Sequence, residues 1–251
     1  MHILKQLKKK KRVGVLDLAG ELSISPETIR RDLNEMEADG FLKRTHGGAI
    51  SLGSRESRPL LGILSRRAVE FDKKSAIAKT AAGFVESGDV IAIDNSTTAC
   101  HMIDFIPAGI KLTLVTYSLQ VIIDAAAKHD CNWTCVSLGG IVNPGNLSSH
   151  GMLTANALSF FQPRKLFMSC AGIDPSGVMT EGNLLEAEIK RELIKACRKT
   201  FLLVDKSKWG QVGSVNEGSA ADMDCLITNA DVDPEKLAVL RGANVRIVFD
   251  G

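Results

Sequence analysis

The sequence has no apolar run of about 18 residues, the length that a membrane-spanning helix needs. No apolar stretch of roughly 7–15 residues follows the basic N-terminal segment, so no secretory signal is predicted. We therefore expect a cytoplasmic protein without a membrane partner. None of the six cysteines forms a CxxC pair, and most lie in apolar runs. We expect them to be reduced and buried, with neither a disulfide nor a metal site.

The chain has the composition of an ordinary globular protein. Of its 251 residues, 45% are apolar and 24% are charged, which excludes collagen-like, coiled-coil and wholly disordered chains. The length favours one or two domains with a sizeable buried core.

The small net charge of +2 hides an asymmetry between the two ends. Residues 1–58 carry 12 Lys and Arg against 8 Asp and Glu, whereas residues 59–251 carry 19 against 21. A basic N-terminal segment indicates contact with nucleic acid. The alternative is that the lysine run only forms a solvated face or tail.

The first fifty residues have a helical apolar period followed by a short hairpin. Apolar residues predict helices that begin near Ile3 and Val15. Ser25 is suited to cap a third helix and Pro26 to begin it, and Gly40 is placed to end it. Residues 41–52 then predict two short strands. We place a winged helix-turn-helix domain at 1–52 and a linker at 53–71.

From residue 72 to 251, short apolar runs alternate with helical stretches. The runs lie at 89–94, 112–115, 133–138, 166–170, 201–204, 225–228 and 245–249. The helical stretches lie at 72–87, 97–105, 118–128, 154–161, 185–198 and 233–241. This order predicts a larger α/β domain with a mostly parallel sheet.

A helix-turn-helix places the start of its second helix in the major groove of DNA. Arginines there can bind guanine edges or phosphates, and residues on the wing can reach the backbone. The alternative is a small helical bundle with solvated arginines. The predicted DNA-binding residues are Ser25, Pro26, Glu27, Thr28, Arg30, Arg31, Lys43, Arg44, Thr45 and His46.

The stretch from Thr28 to Leu33 (TIRRDL) and the stretch from Arg44 to Ala49 (RTHGGA) resemble the DeoR family of bacterial transcriptional regulators. The resemblance extends over about the whole chain. It implies an effector domain related in fold to ribose-5-phosphate isomerase. It also implies a regulator, most simply a repressor, of a carbohydrate-utilisation operon that a phosphorylated sugar or related metabolite modulates. Paired half-sites on double-stranded operator DNA would require a homo-oligomer, a dimer or a tetramer.

Polar clusters follow the predicted strands, where ligands bind in open α/β sheets. The run Asp94–Thr98 opens a helix and offers hydroxyls and N–H groups to an anion, although Ser96 and Thr97 alternatively only cap that helix. It departs from the family's Asp-Ser-Gly-Thr-Thr, and Tyr117 stands where the family prefers Asn. The predicted effector-binding residues are Asp94, Asn95, Ser96, Thr97, Thr98, Thr116, Tyr117, Ser118, Gly139, Gly140, Ser148, Gly172, Glu186 and Lys208.

Lys208, in a run matching the family's Asp-x-Ser-Lys-Phe-Gly, is our preferred cationic partner for a phosphate, with Lys206 as the second choice. Glu186 borders the sugar site in the resemblance. It also stands four residues before Lys190, so a surface ion pair is the alternative. His150 has no second ligand at metal-binding spacing.

An enzyme is the competing interpretation, either an isomerase-like enzyme or a sugar-phosphate hydrolase. A third class is a DNA-independent sugar-phosphate binding protein. Asp94, Asp174, Glu186 and Lys208 are possible acid, base and oxyanion groups. The sequence lacks the isomerases' Asp-Glu-Ile-Asp run, a Walker loop, GxSxG and HExxH. We therefore predict a regulator with no catalytic residues and no cofactor besides its effector.

Overall fold

The computed structural model describes residues 2–38, 42–50 and 70–250. The chain divides into two compact units, residues 1–69 and residues 70–251. The predicted linker at 53–71 lies outside the described residues except for its last two positions. Among the described helices, none is long and apolar enough to cross a membrane.

The first unit is a winged helix-turn-helix. Its elements are α1 His2–Lys10, β1 Arg12–Gly14, α2 Val15–Leu22, α3 Pro26–Ala38, β2 Lys43–Thr45 and β3 Gly48–Ile50. The strands form an antiparallel sheet in the order β1-β3-β2. The side chains of Leu18, Ile29, Leu33 and Leu42 are buried at its centre.

The turn between α2 and α3 follows from local chemistry. Ser23 ends α2 in the left-handed region, with φ of 54°. The side chain of Ser25 accepts a hydrogen bond from the Thr28 N–H at 3.2 Å, as expected of a helix cap. The predicted stop at Gly40 lies outside the described residues. Strand β1 was not predicted, because three residues between two helices are too few to show a period.

Residues 70–251 form the second, larger unit. Its strands are β4 Asp89–Ile93, β5 Leu112–Thr116, β6 Trp133–Ser137, β7 Ile141–Asn143, β8 Ser148–His150, β9 Lys165–Met168, β10 Gly172–Ile173, β11 Val178–Glu181, β12 Lys199–Val204, β13 Val215–Ser219, β14 Cys225–Thr228 and β15 Arg246–Phe249. Its helices are α4 Phe71–Ala82, α5 Thr97–Cys100, α6 Met102–Phe105, α7 Leu119–Ala126, α8 Met152–Leu158, α9 Leu184–Ala196 and α10 Pro234–Leu237.

Seven of these strands form one parallel sheet in the order β15-β14-β12-β9-β4-β5-β6. All seven predicted apolar runs are strands of this sheet. Side chains alternate between two cores: Ile91 and Ile93 pack with α4, α5 and α6, whereas Ala92 packs in the core that includes Leu158 of α8 and Ile189 of α9. Helices on both faces explain why the strands are apolar throughout.

Two smaller antiparallel sheets were not predicted. One is the β7-β8 hairpin, and the other has the order β10-β11-β13. Their strands are short, and some are polar, such as SSH and VNEGS, so they lack an apolar run.

Helix lengths differ from the predictions in three places. The stretch at 97–105 divides at His101 into α5 and α6, the stretch at 72–87 is helical only at Phe71–Ala82, and the last one is a single α-turn followed by a 3-10 turn.

None of the six cysteines, all of them among the described residues, is part of a disulfide. Cys100, Cys170 and Cys225 are buried as expected. The expectation of burial is wrong for Cys135, which is exposed because β6 lies at the edge of the sheet.

Candidate functional site

The start of α3 presents polar side chains to solvent. Ser25, Glu27, Arg30 and Arg31 are exposed, and Pro26 and Thr28 are half-buried. Arg30 Nη1 lies 2.6 Å from Glu27 Oε2 in an exposed ion pair. Exposed ion pairs of this kind are weak, so the guanidinium remains available to another acceptor.

The wing residues divide into two kinds. Lys43 and His46 are exposed, whereas Arg44 and Thr45 are half-buried. The Arg44 guanidinium donates to the Gly48 carbonyl at 3.1 Å, and the Arg44 backbone N–H donates to Glu37 Oε1 at 2.6 Å. The Glu37 carboxylate thus ties the wing to α3, the Arg44 side chain bonds within the wing, and Lys43 and His46 are the wing side chains most open to a ligand.

In the larger unit, the polar loops lie where the parallel strands end. Asp94 follows β4 and is fully buried. Its carboxylate accepts hydrogen bonds from the Ser96 N–H at 2.9 Å, the Ser96 hydroxyl at 2.6 Å and the Ser169 N–H at 3.1 Å. The Ser96 oxygen accepts from the Ala99 N–H at 3.2 Å, so Ser96 does cap α5. Thr97 and Thr98 are buried behind it.

Side chains from the next loop bind those of the first. The Ser118 hydroxyl donates to Asn95 Oδ1 at 2.6 Å, and Asn95 Nδ2 donates to the Asn146 carbonyl at 2.8 Å. The Thr116 hydroxyl donates to the Ile93 carbonyl at 2.7 Å. Three loops far apart in sequence are therefore joined at this edge of the sheet.

Glu186, in the first turn of α9, lies at the centre of a buried polar group. The Tyr117 hydroxyl donates to Glu186 Oε2 at 2.8 Å, and Ser148 Oγ lies 3.0 Å from Glu186 Oε1. Asn146 Nδ2 also donates to Oε1. His150 Nε2 lies 2.6 Å from Ser148 Oγ and 3.6 Å from Glu186 Oε1.

Lys190, one turn further along α9, is surrounded by carboxylates. Its ammonium lies 2.7 Å from Glu181 Oε1 and 3.5 Å from an oxygen of both Asp94 and Glu217. It also donates to the Ser169 carbonyl at 2.7 Å. Both Glu186 and Lys190 are buried, so the alternative of a surface ion pair between them is wrong.

Burial and charge shift the pKa values of this cluster in opposite directions. Burial raises the pKa of Glu217 to about 7, and Lys190 offsets only part of that rise. Burial also raises the pKa of Asp94. Burial works to lower the pKa of Lys190, but Glu217, Glu181 and Asp94 outweigh it and hold that pKa well above its usual value.

Lys208 lies in the 3-10 turn after β12 and is half-buried. Burial raises the pKa of Glu181, but the ammonium of Lys190 and, more weakly, that of Lys208 outweigh it and lower this pKa. Lys208 is therefore within electrostatic reach of the carboxylate cluster. Lys206 is exposed and forms an ion pair with Asp231 instead.

The predicted glycines serve close packing. At Gly140, with φ of 113°, a Cβ would lie 2.1 Å from Thr154 Oγ1. At Gly172, in β10, a Cβ would lie 2.2 Å from the Gln211 carbonyl oxygen. Gly139 also has a positive φ, 63°, and its carbonyl accepts from Thr154 Oγ1 at 2.7 Å.

The sequence prediction missed some members of the network. Glu217 was not singled out, and Asn146, Glu181 and Lys190 were not named as site residues. Glu217 lies in a polar strand with no recognisable signal. For the described residues, no cluster of His, Cys, Asp or Glu has a geometry that could hold a metal ion.

Tyr117 provides a direct test of the buried network, because it is the chain's one tyrosine. Burial raises its pKa well above the usual value, and the negative charge of Glu186 adds to this rise. We expect phenolate absorbance to appear in an alkaline titration only when the protein unfolds, with circular dichroism recorded in parallel. Ionisation near pH 10 in the folded protein, the ordinary value for tyrosine, would contradict the placement.

The fold and the two sites define a DNA-binding module joined to an α/β ligand-sensing module, and comparisons with known proteins agree. Residues 1–55 match the DeoR-like helix-turn-helix domain, and residues 69–230 match the DeoR C-terminal sensor domain. The chain therefore belongs to the DeoR family, and it is a DNA-binding transcriptional regulator.

Two relatives match along nearly the whole chain. The HTH-type transcriptional regulator YulB of Bacillus subtilis (strain 168) is 35% identical over 94% of this chain and 89% of its own length. The glycerol-3-phosphate regulon repressor of Escherichia coli (strain K12) is 29% identical over 98% of this chain and 95% of its own.

Among solved structures, ribose-5-phosphate isomerase A of Methanocaldococcus jannaschii matches with a TM-score of 0.41 and 16% identity. The match covers 56% of this chain and about half, 55%, of the isomerase.

Proposed function

We propose that this regulator controls a carbohydrate-utilisation operon, as a repressor, and that a phosphorylated sugar binding at the carboxyl ends of β4, β5 and β9 releases it from its operator. The observation that carries the proposal is the convergence of polar side chains there. Tyr117 and Glu186 are 69 residues apart in sequence and hydrogen-bonded in a buried site. The relative named as a glycerol-3-phosphate regulon repressor supports a phosphorylated effector.

The chemistry of the network suits a ligand with several hydroxyls and a phosphate. Glu186, Asn95 and Ser148 supply acceptors and donors for sugar hydroxyls, and Lys208 supplies the cation for the phosphate. Tyr117, Asn146 and Ser148 already occupy the Glu186 carboxylate. An ionised carboxylate has about four acceptor positions, so a sugar hydroxyl that binds Glu186 either takes the remaining position on Oε2 or displaces one of these side chains. Displacement would link occupancy to a structural change.

Enzymatic catalysis is the less supported alternative. Asp174, one of the acid-base groups considered, accepts hydrogen bonds from the Ser176 N–H at 2.8 Å, the Ser176 hydroxyl at 2.7 Å and the Val178 N–H at 3.0 Å. Those bonds lower the pKa of Asp174 and hold its carboxylate within the turn that contains it. The relatives reported above are named as regulators. We propose a protein without catalytic residues.

Replacing Lys208 by methionine tests the phosphate assignment. We expect the variant to bind operator DNA with unchanged affinity, and to need roughly 10- to 150-fold more phosphosugar for release, since a charged hydrogen bond contributes about 1.5–3 kcal/mol. The measurement is operator binding by fluorescence anisotropy across a panel of phosphosugars.

Lys206→Met is the matched control, because Lys206 lies in the same turn and is bound to Asp231. It should respond like the wild type. If both variants are released from the operator by the same phosphosugar concentration as the wild type, Lys208 is not the phosphate partner.

A further inference from the structure

A set of large apolar side chains is exposed on one part of the sensor unit. We call it the apolar face. Its members are exposed to between 45% and 78% of their full area: Ile141, Met152, Leu153, Leu184 and Leu185. They come from the β7-β8 hairpin, the start of α8 and the start of α9.

The members of the apolar face are neighbours in space. Ile141 pairs with His150 in the hairpin, and its Cδ1 would lie 3.8 Å from a Cβ built on Gly151, the residue before α8 that also lines this surface. Met152 and Ala155 of α8 line a shallow groove together with Leu185 and Glu188 of α9. The hairpin and both helices therefore form one continuous surface.

A surface of this kind is unusual on a monomer. Soluble monomers rarely expose contiguous apolar patches of more than a few hundred Å². Apolar side chains at the centre and charged ones at the rim are the usual anatomy of a protein–protein interface. The apolar face has such a rim along the outer side of α9, formed by Glu188, Arg191, Glu192 and Lys195.

The order of the charged residues on α9 indicates which partner binds the apolar face. Two acids and two bases share the same side of the helix, so the rim has no net charge. In an antiparallel pair of identical helices, Glu188 of one copy lies opposite Lys195 of the other, and Arg191 lies opposite Glu192. The surface is thus complementary to itself, which a two-fold interface requires.

We propose that the apolar face binds the same face of a second copy of this chain, with the two α9 helices antiparallel. This assignment deepens the proposed homo-oligomeric regulator and rests on it, since paired DNA half-sites require two helix-turn-helix units. The hairpin and α9, which carry part of the apolar face, also carry residues of the effector site. Ser148 and His150 point from β8 into the buried network, and Glu186 directly follows Leu185 in α9.

Sedimentation velocity of the full-length protein at several concentrations tests the proposal. We expect the wild type to sediment as a dimer or a larger even-numbered oligomer. Met152→Glu with Leu185→Glu should lose this interface and sediment with half the wild-type number of subunits at the same concentration, which is the monomer where the wild type is a dimer. Both residues are exposed in the monomer, so the variant should keep the wild-type circular dichroism. Ile123→Glu, on α7 and equally exposed, is the control and should sediment like the wild type.

A charge exchange tests the antiparallel arrangement. Glu188→Lys should weaken self-association, and Glu188→Lys combined with Lys195→Glu should restore it. A double glutamate variant that keeps the wild-type number of subunits, or a wild type that is monomeric, would overturn the proposal. A monomeric protein that still binds an operator and responds to phosphosugars would overturn only this inference. An oligomer of the expected kind without any ligand response would overturn the proposed effector instead.

Discussion

Replacing Lys190 by methionine is expected to lower the free energy of unfolding of the sensor unit by about 3–5 kcal/mol, the usual cost of removing one partner from a buried ion cluster. The Lys190 ammonium is 3% exposed and lies within 3.5 Å of carboxylate oxygens of Asp94, Glu181 and Glu217. Without it, the buried carboxyls of Asp94 and Glu217 and the half-buried carboxyl of Glu181 keep their charge only at a large energetic cost.

The deficit of this variant should grow as the pH rises. Burial already raises the folded-state pKa values of Asp94 and Glu217, and loss of the ammonium raises these two further and removes the effect that lowers the pKa of Glu181. The folded state then binds more protons than the unfolded state. Stability is therefore lost as the pH rises from the unfolded-state pKa values of these carboxyls through their folded-state pKa values.

Urea unfolding followed by tryptophan fluorescence measures the effect on this unit alone, because both tryptophans, Trp133 and Trp209, lie in it. Lys236→Met, on α10 of the same unit, is the control. Lys236 is exposed, so its loss should change stability by less than about 0.5 kcal/mol. Equal losses from the two variants would show that Lys190 is not the counter-ion of the buried cluster.

Replacing Arg30 by alanine is expected to reduce the preference for the operator over unrelated DNA by about 1–3 kcal/mol, or roughly 5- to 150-fold. Arg30 is exposed near the start of α3, and its visible partner is Glu27 in a surface ion pair. A guanine edge can replace that partner with two hydrogen bonds. The measurement is competitive binding of operator and scrambled duplexes at a stated salt concentration, since salt weakens every phosphate contact.

Two further variants separate base recognition from phosphate contact. Lys43→Ala, on the wing, should weaken binding to all duplexes about equally and reduce the salt dependence. Arg241 is exposed in the sensor unit, and Arg241→Ala should change neither the affinity for DNA nor its salt dependence. If Arg30→Ala weakens both duplexes by the same factor, α3 does not read bases through this residue.

The strands of the main sheet were predictable because helices cover both sides of it. Each strand is then buried on both faces and appears in the sequence as an uninterrupted apolar run, such as LTLV at 112–115 or FLLV at 201–204. The start of α3 was equally predictable, since Ser25 and Pro26 are local signals for a helix N-terminus. The polar edge of the sheet followed from the general rule for parallel strands.

The interior of the polar site could not be predicted in the same way. Asp94, Glu181 and Glu217 are far apart in sequence, and only the folded chain brings them to Lys190. The i,i+4 spacing of Glu186 and Lys190 favoured a surface pair, whereas both side chains turn inward from α9 to different partners. The hairpin that supplies Ser148 and His150 has no apolar period to reveal it.

The central claim is that this chain reads a specific DNA site and releases it in response to a phosphorylated sugar. The most direct measurement is recovery of genomic fragments by the purified full-length protein at moderate salt, with and without a phosphosugar panel, followed by sequencing. We predict one or a few enriched sites beside carbohydrate-utilisation genes, lost when the right phosphosugar is present. Uniform recovery of all fragments, or recovery that no phosphosugar changes, would contradict the account.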